Sequence, residues 1–226
     1  MMNTQRLIQI GESLARPCIY LNHAPSKGAA VAAYWAGSRK DIPDEIPQPS
    51  AYCSRRHILT IEPHLFAELG LDVRRPFCVY EEEDQEGAIH PTIYLPESPA
   101  FSEIQCSGVP LFPRKDRSFP PFQAACLYGG EEVAAWLNSL GKKPWEYTHV
   151  ANEVRSGYDA EYRRRSPLYT KGADVMLGGW HTIWHWDSFY MPAEMRLLAW
   201  TFRDAEPWYE VWLDQIGNLS VKTRTT

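Results

Sequence analysis

Residues 196–224, RLLAWTFRDAEPWYEVWLDQIGNLSVKTR, give the clearest indication of the fold. They contain three runs in which apolar and polar residues alternate. Alternation with a period of two is typical of strands that bury one face. The links between the runs, residues 203–206 and 215–217, are short. We therefore expect an antiparallel β-meander here. Four large aromatic side chains of this stretch are expected in its core: Trp200, Phe202, Trp208 and Trp212.

Further strand-like runs precede residue 97. Each is short, rich in β-branched and aromatic residues, and bounded by glycine or proline, as strands joined by hairpins are. The runs are CIYLNH from Cys18, VAAYW from Val31, HILTI from His57, FCVYE from Phe77 and TIYLP from Thr92.

Helical runs occupy the middle of the chain. FQAACLYGG follows Pro121, and proline is tolerated in a first helical turn. EEVAAWLNSLG, residues 131–141, spaces its apolar residues as a helix does, with acids at its start and Gly141 where a helix ends. A third helix is expected over YDAEYRRR, residues 158–165. The aromatic residues of the meander are expected to pack on the EEVAAWLNSLG helix.

Strands, then helices, then strands predict an α+β fold. We expect a single domain over residues 1–226, with a mainly antiparallel sheet, a few packed helices and the C-terminal β-meander. The chain is long enough for such a domain, and its 44% hydrophobic and 23% charged residues are typical of globular proteins.

Charge, hydropathy and cysteine usage exclude several classes of protein. The formal net charge of −5 argues against a nucleic-acid-binding protein, which needs a concentrated basic face. No apolar run approaches the ~20 residues that span a bilayer, and no secretory signal is recognised, so no membrane partner is expected. The five cysteines form no C-x-x-C pair. This pattern predicts reduced thiols and a cytoplasmic location.

Two histidines four residues apart, His181 and His185, suggest a metal site together with Asp187. Their segment, GGWHTIWHWD, lacks a helical period, and no glutamate directly follows His181 to act as a general base. Imidazoles that are hydrogen-bonded within aromatic packing are commoner than metal ligands. We therefore predict no metal and no other cofactor. A metal-dependent hydrolase that uses these three residues is kept as an alternative function, and a structural or scaffold protein as another.

The sequence contains two further clusters of reactive or charged residues, one around Cys53 and one at residues 163–165. Cys53 precedes Arg55, Arg56 and His57, which would favour its thiolate. No oriented base or family signature surrounds it, so no catalytic residue and no enzymatic activity are predicted. The basic run 163–165 complements a helix dipole without any partner.

The acidic run EEEDQE, residues 81–86, is expected to form an exposed turn after the FCVY strand. Charge runs usually face water. The functional alternative is an electrostatic decoy that meets the phosphate-binding surface of a nuclease. Aromatic side chains in the irregular segment around residues 184–190 are typical of binding hot spots. The predicted partner-binding residues are Glu81, Glu82, Glu83, Asp84, Glu86, Trp184, Trp186 and Asp187.

GGWHTIW and MRLLAWTFRDAEPWYEVW, together with SFPPFQAACLYGG and the EEVAAWL helix, carry a resemblance to a known family. The chain resembles the immunity protein 52 family of bacterial polymorphic-toxin systems over nearly its whole length. Members of that family neighbour toxins with restriction-endonuclease-like domains, one pairing being a type VI secretion effector with its cytoplasmic protector. The resemblance implies a non-enzymatic protein that binds a cognate DNase and keeps it inactive in the producing cell. It supplies no catalytic residues.

Overall fold

A computed structural model describes residues 2–25, 28–35, 54–73, 76–83, 86–94, 107–141, 153–166, 174–180, 196–201, 208–214 and 218–224. The chain divides into two compact units. The sheet unit comprises residues 19–115, 173–178 and 192–226, and the helical unit comprises residues 1–18, 116–172 and 179–191. That residues 1–226 fold as a single domain stays a prediction.

Ten strands of the described chain form one sheet. In chain order they are β1 (Arg16–Asn22), β2 (Ala33–Trp35), β3 (Ser54–Ile61), β4 (Phe77–Glu83), β5 (Ile89–Tyr94), β6 (Val109–Ser118), β7 (Val175–Gly178), β8 (Arg196–Thr201), β9 (Trp208–Leu213) and β10 (Leu219–Arg224). Their order across the sheet is β10-β9-β8-β7-β1-β6-β2-β3-β4-β5. Every pairing whose register is described is antiparallel. The predicted α+β class, antiparallel sheet and C-terminal meander are therefore confirmed.

Five helices accompany these strands in the described part of the chain. They are α1 (Thr4–Leu14), α2 (His64–Glu68), α3 (Phe122–Tyr128), α4 (Gly130–Ser139) and α5 (Glu153–Arg165). The three predicted helices correspond to α3, α4 and α5, although α5 begins earlier than expected. Gly141 follows α4 with a φ of 65°, the left-handed conformation that ends a helix, as predicted. No described helix has the length and apolar character needed to cross a membrane.

The sheet unit has an apolar core on one face of the sheet. The cluster takes alternate residues of the strands, including Phe77 and Val79 of β4 and Val211 and Leu213 of β9. The end strands of the sheet order, β5 and β10, also approach each other. The sheet therefore curls, so that residues from strands far apart in its order share one core.

The core face of β9 differs from the one expected. Tyr209, Val211 and Leu213 face the apolar cluster, whereas Trp212 is buried on the opposite face with its indole Nε1 donating to the carboxylate of Glu210 at 3.2 Å. Because successive side chains of a strand point to opposite faces, Trp212 cannot share the face of Val211. Trp212 is therefore buried, as expected of a core residue, but on the face opposite the apolar cluster. Side-chain positions of Trp200, Phe202 and Trp208 lie outside the described residues.

The helical unit has its own core, built around Tyr158 of α5. The apolar residues of α4, Val133 and Leu137, pack in this cluster with Leu7 of α1 and Phe122 of α3. The expectation that the aromatic residues of the meander pack on α4 stays a prediction. Amphipathic helices pack first on one another when each carries an apolar stripe.

Gly11 of α1 makes the closest approach in this core. A Cβ atom on Gly11 would lie 2.5 Å from the hydroxyl oxygen of Tyr158 and 2.6 Å from Cζ of Phe119. That hydroxyl donates to the carbonyl of Pro120 at 3.0 Å. Only a residue without a side chain allows α1 to lie this close to Tyr158.

Candidate functional site

The acidic run lies at the end of β4. Residues 81–83 are still part of the strand, so the prediction that the run is entirely a turn is wrong. Across the ladder to β3, Glu81 lies opposite Arg56 and Glu82 lies opposite Arg55. An opposite charge on the facing strand stabilises strand pairing by ~0.2–1 kcal/mol, and the ion pair between Arg56 and Glu81 is of this kind.

Glu81 is turned into the protein. Its side chain shares the face of Phe77 and Val79, and the residue is 7% exposed. Oε1 lies 2.5 Å from Nη2 of Arg56, and Oε2 accepts a hydrogen bond from the hydroxyl of Tyr209 on β9. A buried carboxylate with these two partners is a structural group, so we leave Glu81 out of any contact surface.

Burial raises the pKa of the Glu81 carboxyl group. The guanidinium of Arg56 opposes this effect by charge and by hydrogen bonding, and the nearby charge of Glu83 adds to it. Removal from water disfavours the charged form of an acid, whereas a cation within hydrogen-bond distance favours it. At Glu81 the effect of burial is the larger.

The next carboxylates of the run are more accessible. Glu82 is half-buried, and Glu83 and Glu86 are exposed. Glu86 stands in the turn between β4 and β5. Strand pairing and the interior contacts of Glu81 hold Glu82 and Glu83 at the end of β4, and Glu86 follows in the turn. Asp84 lies outside the described residues.

Trp180 precedes the tryptophan-rich segment and is itself structural. It is 6% exposed; its indole Nε1 donates to the carbonyl of Leu14 at 2.8 Å, and its backbone N–H donates to Oγ of Ser118 at 3.0 Å. The guanidinium of Arg16 lies 3.4 Å from the centroid of its ring system, and the ring of Tyr128 is 5.3 Å away. Because the indole and backbone N–H groups of Trp180 both donate hydrogen bonds and its ring stacks on a cation, the side chain is held in one position.

The basic run at the end of α5 is engaged within the chain. Glu161 accepts hydrogen bonds from Arg164 at 2.6 Å and from Arg165, and Arg165 also reaches Glu12 of α1 at 2.7 Å. The hydrogen bonds that Glu161 accepts lower its pKa to about 2, and the bond from Arg164 makes the largest contribution. That the run needs no anionic partner stays a prediction.

Several predicted residues lie outside the described part of the chain. They are the partner-binding candidates Asp84, Trp184, Trp186 and Asp187, the histidines His181 and His185, and Cys53. Among the residues that are described, no group of three or more His, Cys, Asp or Glu side chains could hold a metal ion.

The described cysteines are buried free thiols, as expected for Cys78 and Cys126. Burial raises the pKa of Cys126 to about 12. A thiol held in its protonated form is a poor nucleophile.

Two residues of the site were not predicted from the sequence. Arg56 was considered only as a neighbour of Cys53, and Tyr209 only as part of the meander. The sequence predicts strand-like runs from His57 and from Phe77, the first next to Arg56 and the second including Glu81. It does not indicate that these strands are neighbours. A tyrosine on the core face of β9 was the available signal, since a buried hydroxyl needs a partner.

Comparison with protein-family models, with curated proteins and with solved structures gives no match to this chain.

Proposed function

We propose that this chain is an immunity protein that binds a cognate nuclease toxin and neutralises it by direct protein–protein contact. The single observation that carries the proposal is the acidic end of β4: Glu82 and Glu83 stand on the strand that Glu81 fixes from inside, and Glu86 stands in the turn that follows. The net charge of −5 and the resemblance carried by the tryptophan-rich and meander sequences support it.

The chemistry of such a partner follows from the charge. A nuclease binds phosphates through a basic surface, and clustered carboxylates on a rigid element present a similar negative charge to that surface. Complementary charge accelerates association more than it strengthens the final complex. We therefore expect the rate of association to decrease as salt screens the carboxylates.

Neutralising the surface carboxylates tests the electrostatic contact. The triple variant Glu82→Gln, Glu83→Gln and Glu86→Gln should lower the association rate constant for the toxin roughly tenfold at low salt and weaken its salt dependence. Glu81 is left intact because changing it would disturb the interior. Stopped-flow or surface-plasmon kinetics across a salt series provide the measurement.

A matched control removes the same charge elsewhere. Glu12→Gln, Glu131→Gln and Glu153→Gln change three exposed carboxylates of the helical unit and should leave the rate constant almost unchanged. Equal slowing in both triple variants would show that net charge matters and that the end of β4 does not.

Growth rescue tests the function itself. Cells that produce a nuclease toxin encoded beside this gene should grow when this chain is produced with it, and should die without it. Failure to rescue, with a soluble chain, would contradict the proposal. Stoichiometric zinc or manganese in the purified protein, lost in a His185→Ala variant, would instead favour the hydrolase alternative.

A further inference from the structure

Arg56, Glu81 and Tyr209 stand beside the line along which the curled sheet meets itself. The sheet order ends in β5 on one side and in β10 on the other, and these two strands approach each other. We call this line the seam. Glu81 lies on β4, next to β5, and Tyr209 lies on β9, next to β10. The hydrogen bond between Tyr209 and Glu81 therefore crosses the seam from inside.

We propose that Arg56, Glu81 and Tyr209 form a charge-sensitive latch across this seam. In it, Tyr209 and Glu81 join β9 to β4, and Arg56 keeps the latch closed while the Glu81 carboxyl group is ionised. The inference concerns the chain alone and does not depend on the proposed function.

The two oxygens of Glu81 have separate tasks. Oε2 accepts from Tyr209, while Oε1 faces Arg56. An ionised carboxylate in the interior is costly unless a cation accompanies it. When the carboxylate takes up a proton from solvent, the resulting carboxylic acid still offers an acceptor oxygen to Tyr209 and no longer needs the cation. Arg56, whose side chain is 62% exposed, is then free to turn to water.

The other groups that face Glu81 leave this balance simple. On the same face of β4 stands Glu83, whose negative charge also disfavours ionisation of Glu81. Opposite Glu81 on β5 is Pro91, and opposite Tyr209 on β10 is Thr223, neither of which titrates. The pKa of Glu81 is raised above its ordinary value, so acid favours the closed latch. At neutral pH the closed latch depends on Arg56.

Hydrogen exchange of the whole chain tests the latch. Protection factors of backbone amides in β5 and β10 are measured at about pH 4 and about pH 7, on either side of the usual titration range of a perturbed glutamate. Tyr209→Phe removes one hydroxyl group and should reduce protection in β5 and β10 roughly five- to tenfold relative to β7. Arg56→Gln should reduce it to a similar extent at neutral pH and leave it unchanged in acid.

A further variant and two controls separate the latch from general stability. Glu81→Gln keeps a neutral acceptor and should make protection at the seam independent of pH and of Arg56→Gln. Tyr158→Phe and Arg6→Gln alter a buried hydroxyl group and an exposed ion pair of the helical unit, and should leave β5 and β10 protected. Unchanged protection in Tyr209→Phe, or an equal loss at both pH values in Arg56→Gln, would overturn the proposal.

Discussion

The helical unit and the sheet unit each place a glutamate beside arginine, with opposite results. In the helical unit, hydrogen bonds from Arg164 and Arg165 lower the pKa of Glu161 to about 2. In the sheet unit, burial raises the pKa of Glu81 although Arg56 touches it. An ion pair alone therefore does not determine whether the pKa of a carboxylate is raised or lowered. Two arginines outweigh burial at Glu161, whereas one arginine does not outweigh it at Glu81, so the balance between cationic partners and loss of water decides the direction of the shift in pKa.

Buried tyrosine hydroxyl groups extend this comparison. Tyr158 donates to a backbone carbonyl, that of Pro120, which keeps the same charge at every pH. Tyr209 donates to Glu81, whose charge changes with pH. The hydroxyl group in the helical core therefore donates to a group that stays neutral, and the one in the sheet interior donates to a group whose charge changes with pH.

The largest effect is expected from Tyr158→Ala. This change removes a fully buried ring that stacks on Phe119 and meets Phe122 edge-on, and should lower the free energy of unfolding by ~3–5 kcal/mol. Urea denaturation followed by circular dichroism measures it. Tyr158→Phe, which keeps the ring, should cost only about 1 kcal/mol, with no dependence on pH below 8 or so. A strongly pH-dependent loss of stability in Tyr158→Phe would contradict the difference described between Tyr158 and Tyr209.

A smaller effect is expected from Gly11→Ala. The new methyl group would lie 2.5 Å from the hydroxyl oxygen of Tyr158, so α1 or the ring must shift, at a cost of ~1–3 kcal/mol. The same denaturation experiment measures the loss. Combining the change with Tyr158→Phe should restore part of the stability, because the closest atom is removed. If the double variant shows purely additive losses, the contact with Tyr158 is not the cause.

The smallest effect is expected in the pH dependence of the free energy of unfolding that Glu161 and Glu81 produce. Glu161, with its lowered pKa, contributes stability above the ordinary glutamate pKa, and this is lost as the pH falls towards about 2. Glu81, with its raised pKa, contributes stability below the ordinary value, and this is lost as the pH rises through the raised one.

Carbon-13 NMR of the glutamate carboxyl groups reports both titrations directly. Glu161→Gln and Glu81→Gln assign the signals and should each remove one limb from the pH profile of unfolding. Both signals moving in the same direction from the ordinary value would refute the distinction between the two units.

The sequence predicted those elements whose pattern is local. The runs around His57 and Phe77, the EEVAAWLNSLG helix and the three terminal strands follow from period, propensity and a terminal glycine. By contrast, β6 was not predicted, because Pro110 and Pro113 argue against a strand. In the structure β6 nevertheless lies between β1 and β2, with Pro110 opposite Tyr34 of β2.

The candidate site was predicted in part. The run of carboxylates was visible, but its division into one buried and several accessible side chains was not, because this division depends on which way β4 faces in a curled sheet. Arg56 and Tyr209 come from distant parts of the chain and meet Glu81 only through the order of the strands. Likewise, the burial of Trp212 was predicted, but not that Trp212 shares its face of β9 with the buried Glu210.

The buried thiols give each unit a chemical reporter of its own. Cys78 lies in β4 of the sheet unit and Cys126 in α3 of the helical unit, and both are shielded from solvent. Since alkylating reagents attack an accessible thiolate, maleimide or iodoacetamide would modify each only when its surroundings open. With Cys18 replaced by alanine and Cys53 and Cys106 by serine, the alkylation rates at Cys78 and Cys126 would time the opening of the two units separately in one sample.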